Sequence, residues 1–126
     1  MWKACNESLP TKMNLFKRKV IANPTCDRCH CEKEDTIHAL WGYISLKEIW
    51  WEEQTCKIHL HENFANFRYL FQGFVLYKRP MLAETFVVLA WSTWFNRNAK
   101  RMGKSFLPNH KIYVDAIKQL REFQMA

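Results

Sequence analysis

The sequence predicts a mainly α fold, a small helical domain with one compact cysteine loop near the N-terminal third. Apolar residues recur at three- and four-residue steps along most of the chain, the spacing that lines one face of a helix. Gly and Pro number only three and four, which argues against collagen, low-complexity linkers and long disordered tails. A chain of 126 residues suits one soluble domain, which at this size buries about two-thirds of its unfolded surface.

The elements follow in order. Trp2 to Val20 reads as helical, with Thr11 as N-cap after Pro10 and Met13, Leu15 and Phe16 as its apolar residues. Pro24 disfavours helical geometry at Asn23 and breaks this segment just before the cysteines. Asp35 or Thr36 caps a short helix bearing Ile37, Ala39, Leu40 and Trp41, and Ser45 opens another with Glu48 at capping-box spacing. Residues 57–80 mix short alternation with helical spacing, and a helix from Asn63 is the reading adopted. Ala83, Phe86, Val87, Ala90, Trp91 and Trp94 define the main core helix, from Leu82 to Met102. Gly103 and Pro108 end it, and a last amphipathic helix runs from Asn109 to Gln124 with Val114, Ile117, Leu120 and Phe123 aligned. Trp50 and Trp51 are adjacent, about 100° apart on a helix, so only one can face the core squarely.

The longest strictly apolar run, Phe86 to Trp91, has six residues, against the roughly 18–20 that a bilayer-spanning helix needs. MWKACNESLP has no basic segment leading into an apolar stretch, so an intracellular location is expected, with no membrane partner. In a reducing compartment five cysteines, three of them within six residues, are better suited to a metal than to disulfides. The net charge of +7 is unevenly spread: residues 1–63 carry nine Lys or Arg and nine Asp or Glu, residues 64–126 ten and three. A neutral, cysteine-bearing front and a basic rear suggest one segment organised by a metal and another that meets phosphate or an acidic partner.

Cys26 and Cys29 form a CxxC pair, and His38 lies nine residues beyond Cys29. Two intervening residues let both thiolates address one cation about 2.3 Å away, and Zn²⁺ takes four N or S ligands in a tetrahedron. The spacing predicts a zinc-knuckle-like loop with Cys26, Cys29 and His38 as metal ligands. Cys26 to His30 also fits CxxCH, the haem-attachment pattern, but the chain shows no export segment for it. A redox CxxC would belong beside a βαβ pattern, which is absent from the sequence. Cys5 and Cys56 read by default as buried thiols.

Residues 9–50 resemble the zinc-binding domain of plant non-LTR (LINE-type) retroelement reverse transcriptases. That family has an LPT…NL..R helix before CxxC, Glu-Thr ahead of a His, a Cys five past the His and a Trp seven past that Cys. Leu9-Pro10-Thr11, Asn14-Leu15, Arg18, Cys26, Cys29, Asp35-Thr36, His38 and Trp50 fall on these positions. Tyr43 stands where the family has its fourth ligand, Cys. Trp91, Trp94, Arg97 and Asn98 resemble the Trp-x-x-Trp and Arg-Asn of the segment leading to the family's ribonuclease H domain.

The resemblance implies a zinc-binding domain over residues 1–56 and a helical, basic connector over 57–126, packed as one unit. It also implies a polymerase domain ahead and a ribonuclease H domain beyond as partners. A phenol titrates near about 10 and a thiol near about 8.5, so Tyr43 is a poor substitute ligand. Cys31, His30, Cys56 or His59 could supply the fourth position, Cys56 and His59 themselves forming a CxxH pair. A water could also stand there, or the site could be degenerate.

Arg97, Lys100, Arg101 and Lys104 sit at i, i+3, i+4 and i+7, so one helix side would present four cations to phosphate. The plainer alternative is a solvated helix end favoured by the macrodipole. Aromatics make up 15% of the chain, and core packing is the default for Phe86, Trp91 and Trp94. The sequence has no Gly-rich phosphate loop, Ser nucleophile motif, HExxH or clustered carboxylates, so neither an enzyme nor a small-molecule substrate is expected. Two functions compete: a non-catalytic zinc module assisting RNA or DNA binding, and a metal-free helical remnant serving protein interaction.

Overall fold

In a computed structural model, residues 2–50, 64–76 and 80–125 are described. Their elements are α1 (Trp2–Cys5), α2 (Lys12–Lys17), a π-helical turn (His38–Gly42), a 3-10 turn (Ile44–Leu46), α3 (Lys47–Trp50), α4 (Phe67–Leu76), α5 (Pro80–Arg101) and α6 (Asn109–Met125). The protein is mainly helical. Among the described residues extended pairing is limited to one antiparallel bridge, Thr25 to Lys33, and no helix is long and apolar enough to cross a membrane.

The front segment is two helices, where the sequence suggested one. Glu7 takes φ 53° and turns the chain out of α1, and Thr11 then caps α2 as expected, its side chain accepting from the Asn14 amide at 3.2 Å. Asp35 caps the turn that carries His38, accepting from the His38 amide at 2.8 Å. Ser45 does not cap α3, because it lies inside the 3-10 turn; its carbonyl accepts instead from Asn109 at 2.8 Å, tying the start of α6 to this turn. Helix α4 begins at Phe67, where Asn66 accepts from the Tyr69 amide at 3.0 Å. The expected start at Asn63 lies outside the described residues, as do Trp51, Cys56, His59 and the side chains of Ala83 and Phe123.

α5 is the central element and packs against α4, α6 and the π-helical turn. Its buried stripe is Phe86, Leu89, Ala90, Thr93, Trp94 and Arg97, the i, i+3, i+4, i+7 pattern continued. Trp91 was expected in this stripe and is 52% exposed. It stands about 100° round the helix from Ala90, beside the exposed Phe95, with ring centroids 4.2 Å apart. In α6 the buried residues are Ile112 and Ala116, while Val114 is 61% exposed, being about 200° from Ile112. Ile117 and Leu120 are half-buried.

An aromatic stack fills the middle of the core. Trp50 and Phe86 stack at 5.1 Å, Trp41 leans on Trp50 at 5.1 Å, and Phe67 stacks on Phe86 at 5.8 Å. The fully buried Trp50 donates its indole N–H to the Leu40 carbonyl at 2.9 Å, so its one polar atom costs nothing in the dry interior. The same apolar cluster takes residues from Ala4 to Trp50 and from Phe67 to Ala116, uniting front and rear segments.

Candidate metal centre

The cysteine loop is a small hairpin. The Cys26 amide donates to the Glu32 carbonyl at 2.7 Å and the Glu34 amide to the Pro24 carbonyl at 2.9 Å, closing it on both sides of the Thr25 to Lys33 bridge. Inside, the Arg28 amide donates to Cys26 Sγ at 3.3 Å and the His30 amide to the Cys26 carbonyl at 2.9 Å. His30 has φ 58°, the left-handed conformation that turns the chain back after the second cysteine. Amides of Cys31 and Glu32 then point at Cys29, and these hydrogen bonds hold its thiol below the ordinary range. Amide donors directed at sulfur stabilise the thiolate, the form that binds metal.

His38 meets this loop from the π-helical turn, where the Asp35 cap and the Tyr43 amide, donating to the His38 carbonyl at 2.9 Å, fix its backbone. Its Nε2 lies 3.6 Å from Cys29 Sγ and its Nδ1 3.2 Å from Glu32 Oε2. One ligand atom each from Cys26, Cys29 and His38 falls within 4.8 Å of the others. A nitrogen about 2.05 Å and a sulfur about 2.3 Å from one zinc, at the tetrahedral angle, are about 3.6 Å apart. The Cys29 to His38 separation matches that spacing, and the Cys-Cys-His group could hold a metal ion. Burial, then the charge of Arg28, lowers the His38 pKa against the opposing pull of Glu32. The shift favours the neutral form, which has a lone pair to give. A carboxylate on the far ring nitrogen sets the tautomer and orients the ring, the usual support of a metal-binding His.

The other proposed ligands are placed differently. Cys31 and His30 are exposed and outside the cluster; Cys56 and His59 lie outside the described residues. Tyr43 stands at the cluster's edge, its ring edge-on to His38 with centroids 5.9 Å apart and the Arg28 guanidinium 4.3 Å above it. The four described cysteines, Cys5, Cys26, Cys29 and Cys31, are free thiols.

The four cations do not share one face. Arg97 is buried and forks onto the equally buried Glu34, one bond being Nε to Oε2 at 3.1 Å, while its guanidinium lies 4.5 Å from the Trp94 ring. It is a structural ion pair, because a buried guanidinium needs a carboxylate. Arg101 lies 3.6 Å from Asp27. α5 ends at Arg101, and Gly103 at φ 69° turns the chain, so Lys104 falls beyond the helix. Lys100 and Lys104 are exposed and have no ion pair among the described residues.

Two residues that sequence reasoning missed organise the centre. Glu32 orients His38. Glu34 accepts from the Lys12 amide at 3.0 Å as well as from Arg97, with Arg28 3.7 Å away, and so joins α2, the cysteine loop and α5. Burial pushes the Glu34 carboxyl up, but Arg97, the Lys12 amide and Arg28 together outweigh it and hold it below its usual range. Arg97 is 63 residues from Glu34, so no local pattern announces the pair. No protein-family model matches the chain, and no curated protein or solved structure is significantly similar to it.

Proposed function

We propose that this is a non-catalytic zinc-binding module of the non-LTR reverse-transcriptase type, which holds or orients nucleic acid for a neighbouring polymerase. The observation that carries the metal is the convergence of Cys26, Cys29 and His38, with the 3.6 Å sulfur to nitrogen separation that one tetrahedral zinc requires. Two thiolates and a neutral imidazole suit Zn²⁺ better than the hard cations, which prefer oxygen. Cys26 and Cys29 of the loop and His38 of the π-helical turn would hold the ion, which would tie the two together. Backbone amides would position both sulfurs, and Glu32 would orient the ring. The link to the retroelement family rests on the sequence resemblance alone; the Glu34 to Arg97 pair joins the two stretches that carry it.

The test is zinc content per chain in protein purified without added metal. We expect about one zinc, lost in Cys26→Ser and His38→Ala, kept in Cys31→Ala, and bound more tightly in Tyr43→Cys, which restores a thiol at the fourth family position. A metal-free interaction module is the second reading, favoured by Tyr43 and by the Glu34 hub, which fixes the loop without a metal. A folded wild type lacking zinc, with Tyr43→Cys acquiring it, would establish that reading instead.

A further inference from the structure

A groove of about 430 Å³ runs between α5 and α6, walled by Trp91, Phe95, Phe106, Leu107 and Ile112. Trp91 is 52%, Phe95 56% and Phe106 51% exposed, so three large rings reach solvent along one surface. Single exposed aromatics are ordinary, but a grouped set marks a contact surface. Phe106 and Leu107 also line a second cavity of about 160 Å³, whose other residues include Arg28, Arg97, Lys100 and Tyr43. Lys100 Nζ lies 5.4 Å from the Phe106 ring, at the junction of the aromatic and cationic parts. Arg28 is already engaged there, donating to the Ala39 carbonyl at 3.1 Å and lying 3.7 Å from Glu34, which leaves Lys100 as the exposed cation of this wall.

Aromatic faces beside cations are the two things an unpaired nucleotide needs, a platform for its base and a counter-charge for its phosphate. Duplex nucleic acid offers only the second, because its base faces are hidden in the stack. An apolar peptide would use the rings and leave the cations idle. The charge agrees, since residues 64–126 carry ten Lys or Arg and three Asp or Glu. One of those acids, Asp115, lines the aromatic part with Gln119. There it repels phosphate towards the Lys100 end, and both side chains can hydrogen-bond a base edge.

We infer that this groove is a single-stranded nucleic-acid site, in which bases stack on Trp91, Phe95 and Phe106 while the phosphate backbone meets Lys100. This rests on the nucleic-acid half of the proposed function and names where and in what form the strand binds.

The experiment is fluorescence anisotropy of the full chain with a labelled thymidine single strand of about 12 nucleotides, a site size within the range of small domains. The matching duplex is run beside it, each across a salt series. Trp91→Ala and Phe95→Ala are each expected to weaken single-strand binding about tenfold with an unchanged salt slope, and Trp91→Phe to restore most of it. Lys100→Ala should weaken binding and reduce the slope by about 0.7. Since Trp91 and Phe95 are exposed, both alanine variants should keep the wild-type circular dichroism melt. Single-strand affinity that is unchanged in both alanine variants but lowered in Lys100→Ala overturns the stacking groove and leaves the nucleic-acid module standing. Wild-type protein that binds neither strand form overturns both. A wild-type dimer in sedimentation that Trp91→Ala dissociates would give the groove to a second copy and overturn the inference.

Discussion

His30 carries the turn of the cysteine loop at φ 58°, a conformation that costs a residue with a Cβ about 1–2 kcal/mol and glycine almost none. His30→Gly is therefore expected to raise stability by about 1 kcal/mol, read as a higher melting temperature, while zinc content stays the same. A loss of zinc would instead make His30 a ligand. The neighbouring Cys31 and Glu32 show how finely roles are divided here. Their amides address Cys29, yet the Cys31 side chain is exposed while the Glu32 carboxylate reaches His38 Nδ1 at 3.2 Å. CxxC spacing singled out Cys26 and Cys29 because two sulfurs that are to share one ion must lie a few residues apart along the chain. Glu32 had no such mark, since a carboxylate three residues past a cysteine is ordinary loop composition.

The start of α2 and the end of α5 fall where local chemistry says they should, and the faces the helices bury are decided by neighbours. At the end of α5 the Lys104 amide donates to the Ala99 carbonyl at 2.8 Å and the Gly103 amide to Lys100 at 3.2 Å, a closure that needs the left-handed glycine. The loop that follows is held by Asn96. Its side-chain amide donates to the Leu107 carbonyl at 2.9 Å, and its oxygen accepts from the Leu107 amide at 2.6 Å. Both bonds are solvent-exposed, so Asn96→Ala should cost about 1 kcal/mol. Its sharper effect should be faster hydrogen exchange at Leu107, with α5 itself unaffected. Capping and breaking residues made Thr11, Asp35, Gly103 and Pro108 legible in advance. Trp91 and Val114 were not, because apolar residues one or two places off the buried stripe look the same as those on it until a packing partner selects the face.

Across the whole molecule, the front and rear are joined by one aromatic core and by the buried Glu34 to Arg97 pair. Removing one partner leaves an uncompensated buried charge, so Glu34→Gln or Arg97→Ala is expected to cost about 3–5 kcal/mol in denaturant unfolding. The pair also sets a pH response. Glu34 has a folded pKa below its unfolded value of about 4.3. Its contribution is thus fully present above that pH and is lost as the pH falls through the lower folded value. Melts between about pH 7 and pH 3 should show wild type losing stability in this window, and Glu34→Gln, already weakened at neutral pH, should lose less over the same range.

The sequence by itself determined the helical class, the order of the main elements and the three residues, Cys26, Cys29 and His38, that converge in the candidate metal centre. Each of these depends on residues within a few turns of one another, where periodicity, capping and ligand spacing leave a local pattern. The tertiary structure decided that Arg97 is buried on Glu34, that Glu32 orients His38 from across the hairpin, and that Trp91 and Phe95 face outward beside Lys100. Those outcomes turn on which surfaces meet. A guanidinium or an indole is equally at home against a partner or in contact with solvent, and only packing against elements distant in the chain selects between them.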